Sequence, residues 1–328
     1  MDMENSIPHG SSRPGRRGYD PCMLCPRGCG SFRSAPPGSG RSPYCGESST
    51  IRVAYVGPHF GEEPPLSGSR GSGAVFFSGC PLKCSYCQNH QITRGGIGER
   101  VSLRELFRRV TAMINDFDVH NISMVTPDHF FPDVFQLVEM LREGGCRLPI
   151  VYNLSGYQSV EMISEAESRA DIYLPDFKYS DRTLAARLSG CGDYPSVALS
   201  AVCEMVRQKG FLDRCEGDGT PAGRGVLVRH LILPGHVENS LASITSLFVE
   251  FGGELPLSIM SQYRPVVPQK YRELNRTVTP DEFRRVYELA LELGFRHLFV
   301  QIPDAGGDDE TALCPFVPDF GRDGPFLR

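Results

Sequence analysis

Twelve cysteines stand in this 328-residue chain, and two groups of them fall at spacings that suit metal chemistry. Cys80, Cys84 and Cys87 read C-x3-C-x2-C, and Cys22, Cys25, Cys29 and Cys45 read C-x2-C-x3-C-x15-C. Thiolates are soft ligands that select zinc and iron–sulfur clusters. Three on one short loop ligate three irons of a [4Fe–4S] cube and leave the fourth iron open. Four suit either tetrahedral zinc or a fully ligated cluster. Spacing alone does not choose for the quartet between a second [4Fe–4S] cluster, zinc and no metal. Cys146, Cys191, Cys203, Cys215 and Cys314 have no partner at ligand spacing and read as buried or surface thiols.

Composition narrows the setting. Lys and Arg number 34 against 39 Asp and Glu, a formal charge of −5, which argues against nucleic acid or an anionic membrane as partner. No apolar run approaches the ~18 residues of a transmembrane helix. Residues 1–19 are polar, with Arg13, Arg16 and Arg17 and no apolar h-region, so they read as a disordered leader and not a secretory signal. A cytoplasmic location follows as the expectation, and there thiols serve as metal or redox groups more often than as structural disulfides.

The elements that must position the cysteines show as alternating patterns. Apolar runs at 74–78, 121–126, 149–154, 171–176, 226–233, 256–260 and 297–302 read as strands covered on both faces. Helical periodicity fills 102–115, 132–143, 159–168, 195–209, 237–251 and 279–293. Ser102 with Glu105, and Thr279 with Pro280 and Glu282, mark two helix starts. The alternation predicts an α/β fold, a partial (βα)6 TIM-type barrel with a small Cys-rich N-terminal segment. The boundaries expected are a leader at 1–19, the Cys-rich metal-binding segment and linker at 20–73, the barrel at 74–302 and a tail at 303–328. Within the second, 58–73 reads as a Gly/Pro/Ser linker or loop. The tail is either a strap over the barrel or a loose end. Parallel barrels gather their active sites at the C-terminal ends of the strands, and Cys80, Cys84 and Cys87 follow the first barrel strand directly.

With Gly79 before the first cysteine and Tyr86 between the last two, this loop resembles the hallmark of the radical S-adenosylmethionine superfamily. The resemblance implies that Cys80, Cys84 and Cys87 hold a [4Fe–4S] cluster whose open iron chelates S-adenosylmethionine. Reductive cleavage would then release a 5′-deoxyadenosyl radical that abstracts hydrogen from a substrate. A flavodoxin- or ferredoxin-type protein is the implied reductant. A second layer resembles the pyruvate formate-lyase activating enzymes. LPDFKY, with Asp176 and Lys178, is similar to their DLK strand, and VRHLILPG, with Arg229, Pro234 and Gly235, to their RYVVVPG strand. Asn153 stands in a turn similar to their DTNG. This likeness implies that Tyr86, Asn153, Asp176, Lys178 and Arg229 help to hold the cofactor, and that the target is a backbone glycine of a glycyl-radical enzyme. Another peptide or a small molecule is the alternative substrate, and a non-catalytic iron–sulfur electron carrier the alternative class.

Two stretches depart from the family pattern. Where those enzymes carry GGE, this chain has Met124-Val125-Thr126-Pro127-Asp128-His129, in which Asp128 is an expected acceptor for the cofactor ammonium and Thr126 another. Ser261-Gln262-Tyr263 stands where Pro-aromatic-His is usual. The stretch from His59 to Pro65 reads either as a substrate or interdomain contact near the cluster or as a solvated, Pro-terminated loop.

Overall fold

The computed structural model describes residues 18–36, 38–215, 220–302, 317–322 and 324–326. Of the leader expected at 1–19, residues 1–17 lie outside the described residues, as does Cys314; Tyr19 is no loose end, since it bridges to Cys22 and its hydroxyl donates to Asp133 Oδ2. The expected strands appear as β2 (Ser72–Phe77), β4 (Ile122–Val125), β5 (Ile150–Leu154), β6 (Ile172–Pro175), β8 (Val228–Leu231), β9 (Leu257–Met260) and β10 (Leu298–Val300). Every residue of β2, β4, β5, β6 and β9 is buried, which is why their sequences run apolar without alternation. β2, β4, β5 and β6 pair in parallel, and so do β8, β9 and β10. A parallel bridge between Asp176 and Arg229 joins the two sheets. The fold is thus the α/β partial barrel that the alternation implied, with α3 (Leu103–Phe117), α4 (Phe131–Glu143), α5 (Val160–Ala166), α7 (Tyr194–Lys209), α8 (Val237–Phe251) and α9 (Pro280–Leu293) between and after the strands.

The helix starts obey local chemistry. Ser102 accepts from the backbone N–H of Glu105, and Thr279 with Glu282 forms a complete capping box before Pro280. Such caps satisfy donors that the first turn leaves free. The carboxylate of Glu105 does not return to its cap; it pairs with Arg108 and Arg109 instead.

Several elements depart from the sequence reading. β1 (Arg52–His59) runs antiparallel to β2 and pairs on its other edge with β3 (Glu99–Arg100). Its burial is mixed and Pro58 falls inside it, so no clean period announces it. The stretch 58–73 is not a linker: it holds the end of β1, the turn α1 (Pro64–Ser67) with Leu66 wholly buried, and the start of β2. Residues 226–233 do not form one strand. β7 (Gly225–Val226) pairs with β6, and β8 pairs with β9. Two further helices, α2 (His90–Thr93) after the cysteine loop and α6 (Arg182–Ser189) after β6, are short and weakly patterned. Of the tail, Phe320 and Phe326 pack on Phe76, so its described part is a strap. No helix among the described residues is long and apolar enough to cross a membrane.

Candidate active site

Leaving β2, the chain turns at Gly79 with φ +82°, where an added Cβ would stand 2.5 Å from Glu47 Cγ and 3.0 Å from the Cys45 carbonyl oxygen. Only glycine fits there. The loop then brings Cys80, Cys84 and Cys87 to the wall of a cavity of about 180 Å³. Lys83 holds a left-handed conformation, φ +52°, just before Cys84. The backbone N–H of Leu82 donates to Cys80 Sγ at 3.3 Å, and Thr93 Oγ1 approaches Cys87 Sγ at 3.6 Å. Burial pushes the Cys80 and Cys87 thiols up, with neighbouring cysteines adding to the effect. A buried thiol of this kind ionises more readily when a metal takes the sulfur and releases its proton than it does unaided.

Across the cavity the strand ends contribute a charged network. Asp176 ends β6, and its burial would by itself raise its pKa. Lys178 and Arg229 outweigh that and hold its carboxyl below the usual range. Lys178 Nζ pairs with Asp176 Oδ2. Arg229, from β8, donates through Nε to Asp176 Oδ1 at 3.2 Å, through Nη1 to Glu62 Oε2 at 3.0 Å and through Nη2 to Asn153 Oδ1 at 2.6 Å. Asn153 Nδ2 closes the ring onto Glu62 Oε1 at 3.0 Å. Tyr86 also lines the cavity, its hydroxyl accepting from Tyr179 at 2.8 Å. Thus Tyr86, Asn153, Asp176, Lys178 and Arg229 meet the three cysteines around one cavity.

Asp128 does not join them. Thr126 lines the cavity with φ +53°, a conformation that non-glycine residues seldom hold. The chain then turns through a 3-10 turn at Asp128–Phe130 that takes the carboxylate into the interior. Asp128 is 1% exposed, accepts from Gln158 Nε2 at 3.1 Å, and burial pushes its carboxyl up to about 6. It therefore stands behind the cavity wall and not on it. His129 is buried as well, its Nε2 donating to the Ser78 carbonyl oxygen at 2.7 Å. The sequence reading left open the role of the stretch around Glu62; that residue and His59 line the cavity.

The N-terminal quartet lies outside the cavity lining but against the back of the same loop, where the Cys80 N–H meets the Cys45 carbonyl oxygen at 3.4 Å. Cys22 and Cys45 are buried, Cys25 and Cys29 half-buried. Ser31 Oγ stands 3.2 Å from Cys29 Sγ, and burial pushes Cys25 up to about 12. Arg33, 2% exposed, reaches Cys22 Sγ at 3.9 Å. Donors aimed at sulfur suit thiolates in a metal centre, so both cysteine groups fit soft-metal ligation by their chemistry. Among the described residues, no three or more His, Cys, Asp or Glu side chains converge closely enough to hold a single metal ion.

The family model for the radical SAM superfamily matches residues 74–244, just over half of the chain. The chain belongs to the radical SAM superfamily. Membership implies a [4Fe–4S] cluster and S-adenosylmethionine, and the matched span holds Cys80, Cys84 and Cys87 together with Asn153, Asp176, Lys178 and Arg229. An uncharacterized protein of Methanocaldococcus jannaschii is 26% identical over 240 residues, which cover 71% of this chain; the chain spans 64% of that relative's length. Among solved structures, HydG, a maturase of the [FeFe]-hydrogenase, is 12% identical with a TM-score of 0.49, over 73% of this chain and 53% of HydG. Methylornithine synthase is 15% identical with a TM-score of 0.39, over 71% and 74% of the two chains.

Proposed function

We propose that Cys80, Cys84 and Cys87 hold the [4Fe–4S] cluster and that S-adenosylmethionine binds beside it, against Tyr86, Asn153, Asp176, Lys178 and Arg229. The observation that carries this reading is that one cavity is lined by the three cysteines and by the balanced network of Asp176, Lys178, Arg229 and Glu62. The bound pair supplies one-electron hydrogen-atom abstraction. This chain's own residues ligate, orient and exclude water. All three nitrogens of the Arg229 guanidinium are engaged, so it holds Asp176, Asn153 and Glu62 in place. Lys178 has two ammonium protons beyond the one given to Asp176, which leaves it able to meet a cofactor carboxylate. Phe76, Leu82, Val125, Leu231 and Met260 give the same cavity an apolar part of its wall, which strengthens the charge contacts beside it.

The substrate proposed is a backbone glycine of a partner enzyme, as for the pyruvate formate-lyase activating enzymes, with a flavodoxin- or ferredoxin-type reductant. What supports it is the likeness of the Asp176–Lys178 and Arg229–Gly235 segments to theirs. The quartet is read as a second [4Fe–4S] cluster, whose ligands need not converge on one ion, with zinc or no metal as the alternatives, and iron and zinc analysis of Cys25→Ala assigns it. In the decisive experiment, the anaerobically reconstituted protein is reduced with dithionite and given S-adenosylmethionine, then a glycyl-radical enzyme from the same genome. 5′-Deoxyadenosine is the expected product, followed by a glycyl-radical EPR doublet on the partner. A cluster-loaded protein that forms no 5′-deoxyadenosine overturns the enzyme reading. Cleavage without the doublet moves the substrate to another peptide or a small molecule.

A further inference from the structure

Arg27 belongs to the quartet by sequence, between Cys25 and Cys29, yet its side chain leaves that loop for the other one. Its Nε donates to the Pro81 carbonyl oxygen at 2.9 Å and its Nη2 to those of Leu82 at 3.3 Å and Ser189 at 2.6 Å. Nη1 donates to the Gly190 carbonyl oxygen at 2.5 Å. The guanidinium carbon stands 4.0 Å from the ring centre of Tyr44 and 5.3 Å from that of Tyr157. Pro81 and Leu82 lie between Cys80 and Cys84. The peptide that joins them thus has its carbonyl on Arg27 and its N–H, that of Leu82, on Cys80 Sγ at 3.3 Å. Guanidinium, peptide and sulfur form one hydrogen-bonded chain.

We propose that Arg27 is a positioning residue that raises the reduction potential of the cluster at Cys80, Cys84 and Cys87, acting through the Pro81–Leu82 peptide. The inference rests on the reading of those cysteines as cluster ligands. A cation on the carbonyl polarises the peptide and strengthens the hydrogen bond its N–H gives to sulfur. Hydrogen bonds to the sulfurs and nearby positive charge both favour the added electron. Arg27 also fixes the orientation of this peptide, because its other donors are anchored on Ser189 and Gly190 at the end of α6. Loop placement as such has independent ties. Ser85 N–H donates to the Leu188 carbonyl oxygen at 2.8 Å, and Cys80 N–H reaches the Cys45 carbonyl oxygen at 3.4 Å. Loss of Arg27 therefore frees the Pro81 and Leu82 carbonyls without freeing the loop.

The test is an EPR-monitored redox titration of the full-length reconstituted chain. It follows the signal that changes when S-adenosylmethionine is added, since a fully ligated second cluster does not respond. At the potential where half of the wild-type cluster is reduced, Arg27→Ala is expected to lower the reduced-to-oxidised ratio about fivefold or more. Iron per chain and far-UV circular dichroism stay as in wild type. Arg27→Lys keeps the charge without the planar fork, and its ratio falls in between. Where Arg27→Ala fails to load iron, Arg27→Lys decides: a fall of about twofold or more supports the role, and an unmoved ratio overturns it. A lower melting temperature with an unmoved ratio in Arg27→Ala also overturns it, because a merely structural contact behaves that way. A Cys84→Ala variant that keeps the responsive signal overturns the site reading itself, and this inference with it.

Discussion

The two cysteine loops are built alike and placed differently. In both, polar groups reach sulfur: the Leu82 N–H donates to Cys80 and Thr93 Oγ1 approaches Cys87 in one loop; Ser31 Oγ stands 3.2 Å from Cys29 Sγ and Arg33 approaches Cys22 in the other. The loop after β2 turns its three thiols onto a cavity that also holds Asp176, Lys178 and Arg229. The N-terminal loop buries Cys22 and Cys45, leaves Cys25 and Cys29 half-buried, and has no share in that cavity. Local sequence thus makes a ligand set, and the surroundings decide whether it stays closed or offers a coordination position to another molecule. The largest expected effect breaks the comparison outright. Cys84→Ala abolishes both the S-adenosylmethionine-responsive cluster and 5′-deoxyadenosine formation, whereas Cys25→Ala keeps that cluster. Equal loss of all iron in the two variants, measured per chain, would show that the loops form one site.

The two buried arginines sharpen the same contrast. Arg229 serves two carboxylates and an amide on the cavity side. Arg33 serves the carbonyl oxygens of Glu47 at 3.0 Å and Ser48 at 2.8 Å, and that of His129. Arg229→Met leaves Asp176 and Glu62 with one cation fewer in a site only 13% exposed at the arginine, a change that costs about 3–5 kcal/mol. Arg33→Met strands neutral carbonyls and one thiol, for about 1–3 kcal/mol. Urea unfolding of both variants checks the order; an Arg33 variant that loses more than the Arg229 one would place the heavier charge on the quartet side.

What the sequence made legible follows from distance along the chain. The ligand sets are local, within eight residues for Cys80 to Cys87, so spacing alone exposes them. Buried parallel strands are legible because both faces are apolar. Glu62 was not legible as a partner, since 91 residues separate it from Asn153 and 167 from Arg229. Only the closure of the barrel brings them together. β1 was hidden by its half-exposed pattern and Pro58. Asp128 was expected beside the cofactor because it leaves a strand end. The left-handed Thr126 and the 3-10 turn after it carry the side chain inward, a backbone event that no spacing rule encodes.

Asp128 and His129 form the seam between the two loops, and they yield the smallest and most particular expectation. The charge of Asp128 bears on both Cys80 and Cys25. The His129 carbonyl accepts from Arg33 on the quartet side, and its ring donates to Ser78 just before Cys80. Burial raises Asp128 from 3.8 to about 6 and lowers His129 from 6.5 to about 3. Their linkages have opposite signs. The raised Asp128 contributes stability that is present below its unfolded value of 3.8 and is lost as pH rises through about 6. The depressed His129 contributes stability that is present above 6.5 and is lost as pH falls through about 3. Between pH 3.8 and about 6 the folded chain holds one proton more at Asp128 and one fewer at His129 than the unfolded chain, so the two slopes cancel. Relative to wild type, Asp128→Asn makes stability rise more steeply with pH across that window, by up to about 1.4 kcal/mol per unit, and His129→Gln makes it fall by a similar increment. His59, His230, Glu47 and Glu63 are shifted as well and are common to all three proteins, so the difference in slope between each variant and wild type, taken from unfolding free energies across the window, is the readout. Differences of the same sign in the two variants would mean that burial does not shift these two groups in opposite directions.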